Sequence, residues 1–194
     1  RLTGRPWPII VRLNHSSRVR IKRASTAKIA LRGILTFEKW GGVEELSTLS
    51  IGQDAQLFID GDFIVGPGVH ISVSREGTLK IGGRKFESGS GITCRSRIMV
   101  ERSVSIGYDC IIAWGVYITD SDWHSIEGRQ RFQPVKIGDH VWIAHDASVL
   151  KGAEIPSECI VAPKSAVTGK HAIEACLLAG SPAKVKRQNV TWTR

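Results

Sequence analysis

Aliphatic residues recur every six positions through the second half of the chain, from Ile137 to Val167. In order they are Ile137, Ile143, Val149, Ile155, Val161 and Val167. An α-helix would repeat at about 3.6 residues and a simple strand at about 2. A period of six instead predicts a parallel β-solenoid, in which each hexad supplies one short strand and a turn. Three hexads then complete one triangular coil.

A second position in each hexad carries a small or medium side chain. Four residues after the aliphatic position come Val141, Ala147, Ala153, Cys159 and Ser165. The same frame holds earlier, in Val100, Ile106, Ile112 and Ile118 with their companions Val104, Cys110 and Val116. The companion points inward close to a corner, so we expect Cys110 and Cys159 to be core thiols rather than catalysts.

The first part of the chain follows the frame less regularly. Ile51, Leu57, Phe63, Val69 and Ile81 lie in it, whereas residues 1–50 show only alternating apolar pairs such as Val19 and Ile21. These pairs predict strands that begin or cap the solenoid. We therefore expect a cap or irregular first coils over residues 1–50, the repeat domain over 51–188 and a tail over 189–194.

The repeat is interrupted once in its regular part. From Ile118 to Ile137 the chain runs 19 residues, one more than three hexads, so it leaves the coil and returns almost where a regular turn would end. Such an excursion predicts an extruded functional loop over residues 119–136. The loop contains the segment DSDWHS, with His124 among polar and acidic neighbours.

The composition of the chain is typical of a single globular domain and does not by itself indicate a function. With 194 residues the chain is long enough for one sizeable domain. No apolar run approaches the roughly 18 residues that a membrane span needs, and from the first residues, which lack an apolar segment, we expect no signal peptide. Four scattered cysteines without a CxxC pair fit a reducing cytoplasm. The net charge of +9 predicts an anionic partner.

The hexads from IGDHVW to VAPKSA, followed by LLAGSPAKVKR, resemble those of the hexapeptide-repeat acyltransferases. The likeness covers roughly residues 92 to 188 and is strongest to the galactoside, maltose and polysaccharide O-acetyltransferases. It implies a left-handed parallel β-helix, a homotrimer with active sites between subunits, and acetyl-CoA as acyl donor. It also implies a saccharide hydroxyl as acceptor, on a bacterial surface polysaccharide.

The resemblance assigns roles to the loop and to the second half of the repeat. It makes His124 the general base that deprotonates the acceptor hydroxyl, a task that suits an imidazole titrating near neutral pH. Asp122 or Asp120 would orient the imidazole. On the cofactor side it places Trp142 beside the thioester, and Ala144, His145 and Pro163 along the pantetheine. The positions nearest the CoA phosphates are Thr168, Lys184 and Arg187.

Three other functions compete with this assignment. An N-acetyltransferase acting on an amino-sugar nucleotide would use the same fold. A zinc hydratase related to carbonic anhydrase would need His124, His140 and His145 around one metal, whereas His140 is otherwise expected to be a solvent-facing turn residue. A binding protein for nucleic acid is disfavoured, because the chain lacks a basic patch interleaved with aromatic residues. We therefore expect no metal site and no nucleic-acid partner.

Overall fold

The computed structural model describes residues 10–13, 18–39, 44–82 and 89–194, and its regular elements are short β-strands in three sheets. Sheet A contains β1 (Ile10–Leu13), β4 (Ile34–Phe37), β7 (Phe63–Val65), β10 (Ser90–Ile92), β13 (Ile111–Ile112), β16 (Trp142–Ile143), β19 (Ile160–Val161), β21 (Cys176–Gly180) and β22 (Ala183–Gln188). Sheet B contains β2 (Val19–Arg23), β5 (Ser47–Ile51), β8 (His70–Val73), β11 (Arg97–Val100), β14 (Tyr117–Thr119), β17 (Ser148–Val149) and β20 (Ala166–Val167). Sheet C contains β3 (Lys28–Leu31), β6 (Gln56–Ile59), β9 (Thr78–Ile81), β12 (Ser103–Ile106), β15 (Val135–Ile137) and β18 (Glu154–Ile155).

From β1 to β17, each strand pairs in parallel with the strand three places later in the chain, and β19 pairs in parallel with β21. In sheet A, for example, Ile112 pairs with Ile143 and Ile143 with Val161. Three strands therefore make one turn of a triangular solenoid, as the six-residue period predicts. The exception is the hairpin of β21 and β22, which is antiparallel and ends sheet A.

The predicted interior rows form the core. The six aliphatic residues from Ile137 to Val167 are all at most 4% exposed, and their companions from Val141 to Ser165 at most 2%. Cys110 and Cys159 are fully buried, which confirms them as core thiols. Burial raises the pKa of each of these two thiols to about 12, so neither is poised as a nucleophile.

The described strands before residue 51 belong to the same three sheets as the later coils. β2 pairs with β5 over five residues, and β3 with β6 over four. Backbone pairing is therefore regular where the sequence pattern is irregular. Larger residues occupy the interior here, since Phe37 and, in the following coil, Phe63 are buried.

The interrupted repeat forms a loop between β14 and β15, at the corner between sheets B and C. Its described backbone runs from residue 120 to 134, since Thr119 and Val135 already lie in strands. The strands on either side of the loop keep their regular pairing: β14 pairs with β17, and β12 pairs with β15. The described residues include no helix long and apolar enough to cross a membrane.

Candidate active site

An apolar groove of about 670 Å³ runs along the outer face of sheet A, at its corner toward sheet B. Three rows of equivalent positions in successive coils build its wall. The first row is Ile111, Trp142, Ile160 and Leu177, which are cross-strand partners. The second is Ala113, Ala144 and Ala162, and the third is Trp114, His145 and Pro163. The repeat therefore builds the groove as well as the core.

Four residues that the sequence assigned to the cofactor lie together in this groove: Trp142, Ala144, His145 and Pro163. Trp142 is 38% exposed, which is unusual for an indole unless something covers it. Ala144 is buried, so at this position the groove approaches the backbone. A mostly apolar groove of this kind suits the pantetheine arm of coenzyme A.

Trp114 forms part of the groove wall, although the resemblance to known acyltransferases did not indicate it. Its ring stacks on that of His145, with centroids 5.3 Å apart and planes 7° apart. The Nδ1 of His145 also lies 3.1 Å from the Oδ2 of Asp146. The ring of His145 is thus held on two sides. Aligning the hexads would have found Trp114, because it stands two residues after Ile112 as His145 stands two after Ile143.

The two predicted phosphate ligands of the tail lie at the end of the same face. Arg187 is the cross-strand partner of Leu177, which lines the groove, and Lys184 is the partner of Ala179. Both cationic residues are exposed. Thr168, by contrast, follows β20 at the end of sheet B, so one chain does not bring it to the groove on sheet A.

His124 lies in the extruded loop and is exposed to solvent. The loop is shaped by short hydrogen-bonded turns around it: the backbone N–H of Trp123 donates to the Oγ of Ser121 at 2.9 Å. The indole Nε1 of Trp123 donates to the hydroxyl of Tyr117 at 3.2 Å, which holds the ring against sheet B. The imidazole that follows is presented outward.

Asp122, the predicted orienting carboxylate, lies against a different partner. Its carboxylate forms an ion pair with the Nζ of Lys151, and the same Nζ donates to the carbonyl of Gln130 at 3.1 Å. These contacts tie both halves of the loop to Lys151, in the turn between β17 and β18. Asp122 therefore orients the loop that carries His124, and the structure shows no hydrogen bond between the two side chains in this part of the chain.

Asp120 is the other carboxylate predicted as a partner that orients the His124 imidazole. It is fully buried where the loop begins. It accepts hydrogen bonds from the backbone N–H groups of Glu101, Arg102 and Ser103, at 2.7, 2.7 and 2.6 Å. These hydrogen bonds engage both carboxylate oxygens with the turn of the preceding coil. Asp120 therefore fixes the start of the loop to that turn.

A second anchor holds the returning half of the loop. The Nε of Arg131 donates to Glu101 Oε1 at 2.7 Å, and the hydroxyl of Ser121 donates to the other oxygen of the same carboxylate. Glu101 is only 6% exposed. Residues 101, 121 and 131 are distant in sequence and no motif links them, so the sequence alone offered no signal for this anchor.

His140 is not the solvent-facing residue that its turn position suggested. Its Nδ1 lies 2.6 Å from Asp109 Oδ2 and its Nε2 lies 3.2 Å from the carbonyl of Trp192. Both ring nitrogens are therefore engaged. The zinc alternative required this ring to meet those of His124 and His145, and the described residues contain no cluster of three or more candidate metal ligands.

The loop and the groove lie at different corners of one chain. The loop leaves between sheets B and C, whereas the groove lies on sheet A beside its corner with sheet B. The width of sheet B separates them. A base on the loop and a donor in the groove of the same chain are therefore not adjacent.

Curated sequences similar to this chain are polysialic acid O-acetyltransferases. The enzyme of that name from Neisseria meningitidis is 32% identical over 149 residues, which cover 74% of this chain and 67% of the relative. The one from Escherichia coli O1:K1 / APEC is 32% identical over 129 residues, 63% of this chain and 40% of the relative. This chain thus spans less than half the length of the second relative. No protein-family model matches the chain.

Solved structures agree on the fold. The polysialic acid O-acetyltransferase OatWY superposes with a TM-score of 0.67 at 24% identity, over 95% of this chain and 92% of that one. The polySia-specific acetyltransferase NeuO gives 0.54 at 20% identity, over 91% and 83%. The all-β fold predicted from the hexads, a left-handed parallel β-helix, is confirmed. The chain belongs to the hexapeptide-repeat acyltransferases, in the group of the polysialic acid O-acetyltransferases.

Proposed function

We propose that this protein transfers an acetyl group from acetyl-CoA to a hydroxyl of an acidic surface polysaccharide. One observation carries the proposal: Trp142, Ala144, His145 and Pro163, chosen from sequence as cofactor residues, line a single apolar groove. Family membership supports the reaction class. The relatives support the acceptor class, since they are polysialic acid O-acetyltransferases and act on a polymer of an acidic sugar.

Acetyl-CoA supplies an activated acetyl thioester. The apolar walls of the groove hold its pantetheine arm, and Lys184 and Arg187 lie where cations would meet its phosphates. The groove thereby fixes the direction in which the thioester lies. Since acetyl-CoA is made in the cytoplasm, we place the reaction there.

His124 acts as the general base. A sugar hydroxyl is a poor nucleophile at neutral pH, and its oxygen attacks the thioester carbon only as the proton leaves. The imidazole takes that proton, the oxygen–acetyl bond forms and the carbon–sulfur bond breaks. The imidazolium then returns the proton to the departing thiolate. Asp122 contributes by holding the loop through Lys151, rather than by contacting the imidazole.

A homotrimer would complete the site. Because sheet B separates the loop from the groove in one chain, His124 of one subunit must reach the groove of another. The same arrangement would bring Thr168, which lies beyond sheet B, within reach of a neighbouring groove. Sedimentation velocity tests this directly, and a monomer with full activity would overturn it.

The proposed reaction is tested by incubating the protein with acetyl-CoA and a sialic acid polymer. We expect release of free thiol and matching acetyl esters in the polymer by mass spectrometry. His124→Ala should lower kcat about 100-fold or more, the usual effect of losing a general base, with acetyl-CoA affinity retained. His171→Asn, a histidine outside the loop and the groove, is the matched control. Wild-type activity in His124→Ala would overturn the role of the base.

A further inference from the structure

The outer face of sheet B carries cations and hydroxyls without carboxylates. Register places Arg20, Thr48, His70, Arg97 and Tyr117 in one outward row across successive strands. A parallel row holds Lys22, Ser50, Ser72 and Met99. Arg20, Lys22 and Arg97 are exposed, and we call these three residues with their two rows the basic face.

Three carboxylates at the edges of the basic face, Glu45, Glu76 and Glu101, are already paired with other cations. Glu45 lies 2.7 Å from the Nη2 of Arg95, and Glu76 lies 3.0 Å from the Nη1 of Arg102. Glu101 is held by Arg131, as described above. Within the part of the chain that the structure describes, Arg20, Lys22 and Arg97 have no acidic partner. No carboxylate of the described residues therefore neutralises these three cations by direct contact.

The outer face of sheet C is arranged differently near its C-terminal end. There Glu154 lies in the same outward row as Lys136, at 3.4 Å, and also contacts Lys170 at 2.9 Å. Hydrogen bonding to Lys170 and to Lys136 holds the pKa of Glu154 below its usual range. At this end of sheet C, Glu154 neutralises Lys136 and Lys170, whereas no carboxylate pairs with Arg20, Lys22 or Arg97 on the basic face.

The basic face ends at the loop that carries His124. Tyr117 is the cross-strand partner of Arg97, and its hydroxyl accepts the hydrogen bond from the indole of Trp123. Trp123 is 37% exposed and directly precedes His124. An exposed indole beside cations offers a surface on which a sugar ring can stack. A polymer lying along the row would therefore arrive at the base.

We propose that the basic face is a docking track for a polysaccharide that carries a carboxylate on successive sugars. The polymer would lie across the strands, parallel to the solenoid axis, and lead toward Trp123 and His124. Strands are about 4.8 Å apart, so Arg20 and Arg97 span three spacings, or about 14 Å, enough for several sugars. This inference rests on the proposed function, because it locates the acceptor of that reaction.

Binding of a sialic acid polymer, measured by calorimetry without acetyl-CoA, tests the track. Arg20→Gln combined with Arg97→Gln should raise the Kd about fivefold or more, as expected for losing two exposed charge contacts. The salt dependence of binding should also fall, because fewer charges remain to be screened. Lys28→Gln combined with Lys80→Gln removes the same charge from sheet C and should leave the Kd within about twofold.

The binding measurements distinguish the docking track from its alternatives. An unchanged Kd in the Arg20 and Arg97 variant overturns the track, and so does a DNA strand of equal charge that binds as tightly as the glycan. A loss of trimer in this variant would show that the face joins subunits instead. If the double variant fails to fold, Arg97→Gln alone, at an exposed position, gives the same test.

Failure of the track and failure of the proposed reaction give different results. His124→Ala should bind the polymer normally, since the base is not part of the basic face. Polymer binding without any acetyl transfer would overturn the reaction and leave the track standing. Transfer to the polymer at a KM that the arginine variant does not change would overturn the track and leave the reaction standing.

Discussion

Trp192 stacks on His140 with ring centroids 4.0 Å apart and ring planes 10° apart. The indole Nε1 donates to the carbonyl of His140 at 3.1 Å, and the ring lies 6.3 Å from that of Trp142 in the groove wall. Arg194 adds an ion pair with Asp109 at 2.9 Å. The last residues of the chain thus support the back of the groove.

The first prediction concerns pH. Both partners of the His140 ring are acceptors, a carboxylate and a carbonyl, so both are satisfied only when the ring carries two protons. Partial burial opposes the charged form, but the hydrogen bonds to Asp109 and Trp192, with Glu158 nearby, outweigh it and raise the pKa of His140. Arg194 donates to the other oxygen of Asp109, and its positive charge opposes protonation of the His140 ring.

A raised pKa means that the folded state binds the proton more tightly than the unfolded state. The stabilisation is complete below the unfolded value of about 6.5 and is lost as the pH rises through the folded value. We expect the difference in melting temperature between wild type and His140→Asn to shrink from about pH 6.5 upward. A difference that grows with pH would contradict the assignment. His171→Asn serves as a comparison of opposite sign: burial lowers the pKa of His171, so the stability that wild type has over this variant should decrease as the pH falls.

A second prediction concerns the groove wall. Trp114 is 56% exposed, so Trp114→Ala should change the free energy of unfolding little while removing one side of the groove and the support of His145. We expect weaker coenzyme A binding in calorimetry, by about fivefold or more, as for a lost aromatic contact of about 1 kcal/mol. Ile173→Ala, an exposed apolar residue outside the groove, should bind as wild type does.

The phosphate end of the donor gives a third prediction. Lys184→Ala combined with Arg187→Ala should raise the KM for acetyl-CoA about tenfold and leave kcat nearly unchanged, because phosphate contacts are made equally in ground and transition states. Dephospho-CoA esters should show a smaller penalty. If the KM does not move, the nucleotide is held elsewhere.

A fourth prediction separates the two aspartates of the loop. Asp120→Asn weakens three buried hydrogen bonds to a charged acceptor and should lower the free energy of urea unfolding by about 2 kcal/mol or more. Asp122→Asn breaks a more exposed ion pair with Lys151 and should cost less than about 1 kcal/mol. Equal effects in the two variants would contradict the different roles that the structure gives them.

Cysteine labelling provides the fifth prediction. With pKa values of about 12, the thiols of Cys110 and Cys159 hold little thiolate at neutral pH, and both are buried. Cys94 is partly exposed. Iodoacetamide should therefore label Cys94 first in the native protein, with the site read by peptide mass spectrometry. Rapid labelling of Cys110 or Cys159 would show that the solenoid opens locally.

What the sequence predicted follows from the repeat itself. Residues of the interior rows are recognised by their fixed spacing and the size of their side chains. Ile143 and Val161 could therefore be assigned to the core without knowledge of their contacts. Groove residues such as Trp142 were found because they hold fixed positions in the same hexads. Contacts that leave the repeat were not accessible: Trp192 and His140 are 52 residues apart, and Lys151 and Asp122 are 29 apart. No periodic rule connects such pairs.

The closure of the coils around the loop separates stability from chemistry. β14 pairs with β17 and β12 with β15 although the loop lies between β14 and β15, so the register of the sheets around the loop follows the repeat. We therefore expect the segment around His124 to tolerate changes in sequence while the solenoid keeps its register. The same freedom makes this segment the natural place to exchange loops between related enzymes when a new glycan specificity is wanted.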